Sequence, residues 1–155
     1  NAAYLGAASG DELVITHISN NTSSKSATVE EAGVAQVDAN VAVVTKNGDV
    51  ITSCIIDAVQ SKAEFGADGV VATEAGNVAS KNQLGENYGM KGFSPIGKEW
   101  NEQAAAFAAY VTGKTAEEVA GTALTETTAP AEADLASSVT ISVGGFMALI
   151  EKIAK

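Results

Sequence analysis

Hydrophobic and polar residues alternate through the first half of the chain and recur at helical spacing through the second. Leu13–Ile18 (LVITHI) has strand character, and the following Ser19–Ser26 (SNNTSSKS) is too polar to pack, so a strand running into a surface loop is expected. From Gly33 the β pattern returns. Val37, Val41, Val43 and Val44 precede Lys46-Asn47-Gly48-Asp49, and Val50–Val59 (VITSCIIDAV) follows. Asn-Gly suits a two-residue hairpin turn, because both central positions need positive φ. A second turn signal, Ala67-Asp68-Gly69, separates Phe65 from Val70–Thr73 and predicts a third pairing, so the first half reads as an antiparallel meander.

Beyond it the period changes to 3.6. Ser94-Pro95 offers a cap followed by the residue best tolerated in a first helical turn. Trp100, Ala104, Phe107 and Val111 then form one apolar stripe that stops at Gly113. Thr115-Ala116-Glu117-Glu118 is a capping box and starts a short helix, because hydroxyl and carboxylate satisfy each other's orphan amides. Residues 122–133 read as a connecting loop. Phe146, Leu149, Ile150 and Ile153 mark a C-terminal helix starting near Ser142. No tandem repeat is visible. The expected fold is a single α+β domain over residues 1–155, an antiparallel sheet with helices packed on one face.

Composition narrows the chemistry. In 155 residues there are 9 lysines and no arginine against 19 acidic residues, a net charge of −10 that opposes nucleic acid and anionic membrane surfaces. One cysteine, Cys54, precludes an internal disulfide and a thiolate metal cluster; one histidine, His17, precludes a paired-imidazole zinc motif. No metal site is expected. No run approaches the roughly 18 apolar residues of a membrane helix, and an opening Asn1 in place of Met reads as a sign of a trimmed or exported product.

Several motifs dissolve on inspection. Ala108–Thr115 (AAYVTGKT) fits a relaxed phosphate-loop pattern, yet an Ala-rich helical stretch stands where the buried strand must be, so it reads as a helix stop and a cap. Gly92–Glu99 (GFSPIGKE) places Glu99 where a magnesium-binding hydroxyl is needed. His17 with Asp57 and a serine would make a hydrolytic triad, but nothing supports it over a structural strand histidine. Cys54 lies in an apolar strand and reads as core. Glu117 and Glu118 belong to the capping box, and Trp100, Phe107 and Tyr110 at helical spacing read as core. Tyr88, between Gly85 and Gly89, suits either a ligand loop or close packing.

The most informative stretch is Asp134-Leu135-Ala136-Ser137-Ser138-Val139-Thr140, three hydroxyls ahead of the C-terminal helix, where unpartnered amides and the helix dipole favour an anion. It resembles the flavin-attachment motif of FMN-binding domains, as in the flavinylated domains of the sodium-pumping quinone reductase and of bacterial surface electron-transfer lipoproteins. That motif runs Asp, two variable residues, Ser or Thr, Gly, Ala, then Thr or Ser. The resemblance assigns the acidic position to Asp134, where it would serve the flavin transferase, and the hydroxyl position to Ser137. It makes Thr140 the residue esterified through the FMN phosphate, with Ser137 and Ser138 around that phosphate. Ser138 stands where the family has Gly, and Val139 where it has Ala. The hairpin of 41–59 is similar to the sheet that precedes the motif in those domains. Separately, Lys81–Trp100 (KNQLGENYGMKGFSPIGKEW) resembles a segment of Clostridia-type surface lipoprotein domains.

These resemblances imply an extracellular, cell-surface domain of a Gram-positive-type cell, held at the membrane through an anchor outside this sequence. It would carry FMN, relay electrons to a redox partner, and be non-enzymatic. The competing expectation is a cofactor-free surface lipoprotein module that binds its ligand with loops 19–26 and 76–93; a hydrolase built on His17 ranks third.

Overall fold

In a computed structural model that describes residues 10–72 and 78–154, three strands, β1 (Glu12–Asn20), β2 (Gly33–Asn47) and β3 (Val50–Phe65), form an antiparallel sheet in the order β1-β2-β3. Five helices follow: α1 (Lys81–Leu84), α2 (Trp100–Val111), α3 (Ala116–Ala120), α4 (Ala133–Ala136) and α5 (Gly144–Glu151). The architecture is α+β, as the change of period predicts.

Strand alternation sets the two faces of the sheet. The cross-strand row Thr16–Ala42–Ile56 is buried at 7%, 0% and 3% exposure, and the rows Val14–Val44–Cys54 and Ile18–Asn40–Ala58 share its side. Against that side lie Trp100, Ala104, Phe107 and Val111 of α2 and Phe146, Leu149 and Ile150 of α5. Phe146 meets Trp100 edge-on at 5.7 Å and Phe107 at 5.6 Å, so the two helices share one aromatic seam over the sheet. The Thr16 hydroxyl donates to the Leu149 carbonyl at 3.0 Å, and Lys152 Nζ donates to the His17 carbonyl at 2.7 Å, fixing α5 to β1.

The β2–β3 hairpin forms where expected, with a different central pair. Asn47 pairs with Val50, so Gly48-Asp49 makes the turn, with Gly48 at φ 58° and Asp49 at negative φ. Glycine at the first central position is the type II′ choice. A bulge between Thr45 and Lys46 shifts the register, turning both Ile51 and Ile56 into the core although they lie five residues apart. β1 runs to Asn20, so the polar loop starts two residues later than its composition suggests. The expected third pairing contracts to a bridge between Phe65 and Val71 around the Ala67-Asp68-Gly69 turn; Thr73 and the first two residues of the 76–93 loop lie outside the described residues.

The outer side of β3 is occupied at three points. Ile51 exchanges backbone hydrogen bonds with the 113–114 link after α2, Asn82 Nδ2 of α1 donates to the Ile56 carbonyl, and Ala72 N donates to the Glu64 carbonyl. α3 carries the predicted capping box: Thr115 Oγ1 accepts from Glu118 N at 3.2 Å, and Glu118 Oε2 accepts from Thr115 N at 2.8 Å.

Phe107 is 0% exposed and Phe93 is 92% exposed. Phe107→Ala should therefore cost about 3–5 kcal/mol, whereas Phe93→Ala should stay within about 0.5 kcal/mol. Urea unfolding of the two variants measures both.

Candidate functional site

The two segments that sequence singled out, 81–100 and 134–140, meet at one buried side chain. Gln103, on the core side of α2 and 0% exposed, accepts at Oε1 from Thr140 N (2.8 Å), Thr140 Oγ1 (3.2 Å) and Ile141 N (3.2 Å). Its Nε2 donates to the Lys98 carbonyl (3.1 Å) and Ser94 Oγ (3.2 Å) and faces Met90 Sδ at 3.8 Å. A buried amide must find partners at both ends. Here those partners belong to two loops, so one carboxamide joins them.

The 90–98 loop is fixed from its other end by Glu99. The cap expected at Ser94-Pro95 does not form; the pair instead belongs to a turn closed by Gly97 N donating to the Ser94 carbonyl, with Gly97 at φ 63°. The cap is Glu99, only 2% exposed, whose carboxylate accepts from Met90 N and Lys91 N, both at 2.9 Å. Its own amide donates to Glu102 Oε2 at 2.8 Å. A glutamate reaches where a serine stops, and so it serves the helix and the loop together.

Between these two fixed loops lies a hollow of about 220 Å³ bordered by Met90, Phe93, Ser94, Pro95, Thr140 and Ile141, with Gln103 beneath. Phe93 stands at its rim almost wholly in solvent, 92% exposed. The stretch 81–98 holds three of the nine lysines, Lys81, Lys91 and Lys98, against one acid, Glu86. Glu99 and Glu102, in the first turn of α2 against this loop, bring the acids to three, so the lysines are balanced in number.

The expected site residues are not equivalent in space. Thr140 borders the hollow. Asp134 is exposed on the first turn of α4. The Ser137 hydroxyl donates to the Asp134 carbonyl at 2.7 Å and the Ser138 hydroxyl to the Leu135 carbonyl at 3.2 Å, so both are engaged by the end of their own helix. Ser138 has no positive φ, so glycine is not required there, and Val139, 0% exposed, fills core space. The cluster does not stand at the mouth of the terminal helix. α5 begins at Gly144 with Val143 as its cap, and the Ser142 hydroxyl just before it is bonded to Thr128.

Other candidates resolve into structural roles. Tyr88 packs against the core beneath Lys81, whose ammonium lies 4.8 Å from its ring and 5.1 Å from that of Trp100. His17 and Asp57 occupy one cross-strand row with Val41 between them, about 10 Å apart at two strand spacings. That is too far for a triad, and Asp57 Oδ1 accepts instead from Ala58 N and Asn82 N. Burial pushes the Cys54 thiol up to about 12. Lys114 of the false phosphate loop donates to the Tyr110 carbonyl at 2.7 Å and covers that ring, holding it against the end of α2.

Sequence reasoning missed Gln103, Glu99 and Phe93. For Gln103 a signal existed: it is the polar member of an otherwise apolar face made by Trp100, Ala104, Phe107 and Val111. Among the described residues no cluster of three metal-ligating side chains occurs, and no helix is long and apolar enough to cross a membrane. No protein-family model, curated protein or solved structure matches the chain.

Gln103→Leu should strand the Thr140 and Ile141 amides at a cost of roughly 1–3 kcal/mol each. The measurement is amide hydrogen exchange, which should accelerate at those two positions ahead of the rest of α2. Cys54, neutral and half-buried, should react slowly with iodoacetamide at about pH 8 in the folded chain and much faster after unfolding.

Proposed function

We propose that this domain carries a flavin at the hollow beside Thr140 and works as an electron-relaying module on the outer surface of the cell. The observation that carries the reading is the pairing of a hydroxyl, Thr140 Oγ1, with a nearly fully exposed aromatic ring, Phe93, across one small hollow. An exposed phenylalanine gains nothing for the fold and offers a flat apolar surface on which a planar ring can stack.

The residues suit FMN in a definite way. A hollow of about 220 Å³ is below the roughly 300–1,000 Å³ of pockets that enclose their ligands. It holds one end of a mononucleotide and leaves the rest in the open, where a relay must meet its partner. Lys91 and Lys98 lie on the adjoining loop, and their charge favours an anionic phosphate. Esterification would join Thr140 Oγ1 to the phosphorus of an activated flavin phosphodiester supplied by the transferase, breaking that phosphodiester, and the hydroxyl proton would leave with the departing group. Gln103 Oε1 then loses one hydrogen bond and keeps two, from the Thr140 and Ile141 amides, so the loop stays in place. When bound, the flavin would supply the redox chemistry; the protein supplies position and electrostatics. The surface location, a membrane anchor, the flavin transferase and the redox partner enter with the resemblance of Asp134–Thr140 to surface electron-transfer domains.

A second reading, a cofactor-free surface binding module, is favoured by one observation. The Ser137 and Ser138 hydroxyls, which the motif sets around the phosphate, are committed to backbone carbonyls. In that case the hollow takes an apolar or aromatic ligand without a covalent bond.

Coexpression with a flavin transferase separates the two. The flavin reading expects a yellow protein whose intact mass rises by one FMN less one water, and a colourless Thr140→Ala variant of unaltered mass. A wild-type chain that stays colourless, with free FMN failing to quench its Trp100 fluorescence, removes the flavin and leaves the binding module.

A further inference from the structure

Of the nine asparagines in the chain, only Asn47 is followed by glycine. Asparagine is among the thermolabile side chains, because the backbone nitrogen of the next residue can attack its side-chain carbonyl carbon and close a succinimide ring. A side chain on that next residue obstructs the attack; a glycine does not. Here Gly48 sits at φ 58°, with nothing within 4 Å of the position its Cβ would take. Among the described residues its N–H has no hydrogen-bond partner. The Asp68-Gly69 pair differs. Gly69 N donates to the Gly66 carbonyl at 3.0 Å and Asp68 Oδ1 accepts from Val70 N at 3.0 Å, so nitrogen and carboxylate are both engaged.

We infer that Asn47-Gly48 is a self-modifying site, at which the folded chain slowly deamidates and thereby loosens the start of β1 from the β2–β3 hairpin. Gly48 N gives its proton to hydroxide and bonds to Asn47 Cγ; the Cγ–Nδ2 bond breaks, and the nitrogen leaves as ammonia. Water then opens the ring at either carbonyl, leaving aspartate or isoaspartate. The balance is one water in and one ammonia out, with no oxidant, reductant or second protein consumed. Closing the ring requires the hairpin end to open locally. That end is placed for it: Asn47 is exposed, and the bulge between Thr45 and Lys46 interrupts the ladder beside it.

The consequence lies in what the amide holds. Asn47 Nδ2 donates to Asp11 Oδ1 at 3.3 Å, and Thr52 Oγ1 donates to Asp11 Oδ2 at 2.7 Å, so one carboxylate just ahead of β1 is tied to both strands of the hairpin. The Thr52 hydroxyl is bonded in turn to that of Thr45, a residue 1% exposed. Deamidation replaces the Asn47 donor with a second carboxylate facing Asp11, and an attraction becomes a repulsion. Lys46, the adjoining cation, is already paired with Glu12 at 3.4 Å. The isoaspartyl product also lengthens the backbone by a carbon and upsets the pairing of Asn47 with Val50. The site shares no residue with the hollow at Thr140, so the inference stands independently of the flavin reading.

The folded chain, held in mildly alkaline buffer and mapped by peptide mass, should convert at Asn47 ahead of the other asparagines, giving a mixture of aspartyl and isoaspartyl forms. Asn47→Gln, whose longer side chain would have to close a larger ring, should stay unconverted at that position. In the aged wild-type chain and in Asn47→Asp, hydrogen exchange should accelerate several-fold at the protected amides of residues 12–14, while those of residues 18–20 keep their rate. Circular dichroism checks that Asn47→Asp folds, and the aged wild-type chain carries the same measurement without a substitution. Asn47 that stays intact in the folded chain, whether or not it converts in urea, overturns the inference, because the hairpin then protects the site. So does conversion no faster than at the other asparagines, or conversion that leaves exchange at residues 12–14 unaltered, which means that β1 is held without this contact.

Discussion

A buried primary amide is costly unless both of its ends are answered, and the second half of this fold is arranged around that requirement at Gln103. Its oxygen collects two backbone amides and a hydroxyl from residues 140–141, and its nitrogen is distributed over the loop at 90–98. Each group left unmade would cost about 1–3 kcal/mol. Two irregular segments without regular secondary structure of their own are therefore held to one helix, and the hollow between them keeps its shape. Glu99 repeats the logic one turn earlier with a carboxylate. Together the two side chains make the first turn of α2 a bracket for everything exposed above it.

The sheet contributes by staying out of that region. β1, β2 and β3 offer α2 and α5 a flat apolar bed, and the aromatic seam of Trp100, Phe107 and Phe146 aligns the helices on it. The surface that faces away from the bed is consequently where loops can vary without disturbing the core. It holds Phe93, Thr140 and the lysine-bearing loop. Structure and chemistry are layered: strands for support, helices for position, loops for contact.

Much of this was legible in the sequence because it follows from periodicity and local chemistry. Valine alternation marks β2 and β3, the stripe from Trp100 to Val111 marks α2, and Thr115 with Glu118 marks the start of α3; each signal acts within a few residues, as does its physical cause. The hairpin position was readable too, although the bulge at Thr45 and Lys46 moved the turn onto Gly48-Asp49. What escaped prediction depends on distant partners. Glu99 caps α2 in place of Ser94 because amides nine and eight residues upstream fold back onto it. Thr140 turns to Gln103, 37 positions earlier in the chain, and not to the helix that follows it. Val139 and Ser138 depart from the flavin motif for reasons that only packing reveals. One is core, and the other sits at a backbone angle that needs no glycine.

The fastenings along β3 have a further consequence. A border strand with free amides and carbonyls is a template on which another chain can add a strand, and from there fibrils grow. Here Ile51, Ile56 and Glu64 have already given outward-facing groups to the 113–114 link, to Asn82 and to Ala72. An incoming strand would have to displace three separate parts of the fold to pair along that margin. A chain whose valine-rich hairpin is prone to cross-β stacking once unmasked thereby gains a safeguard from its own connecting segments.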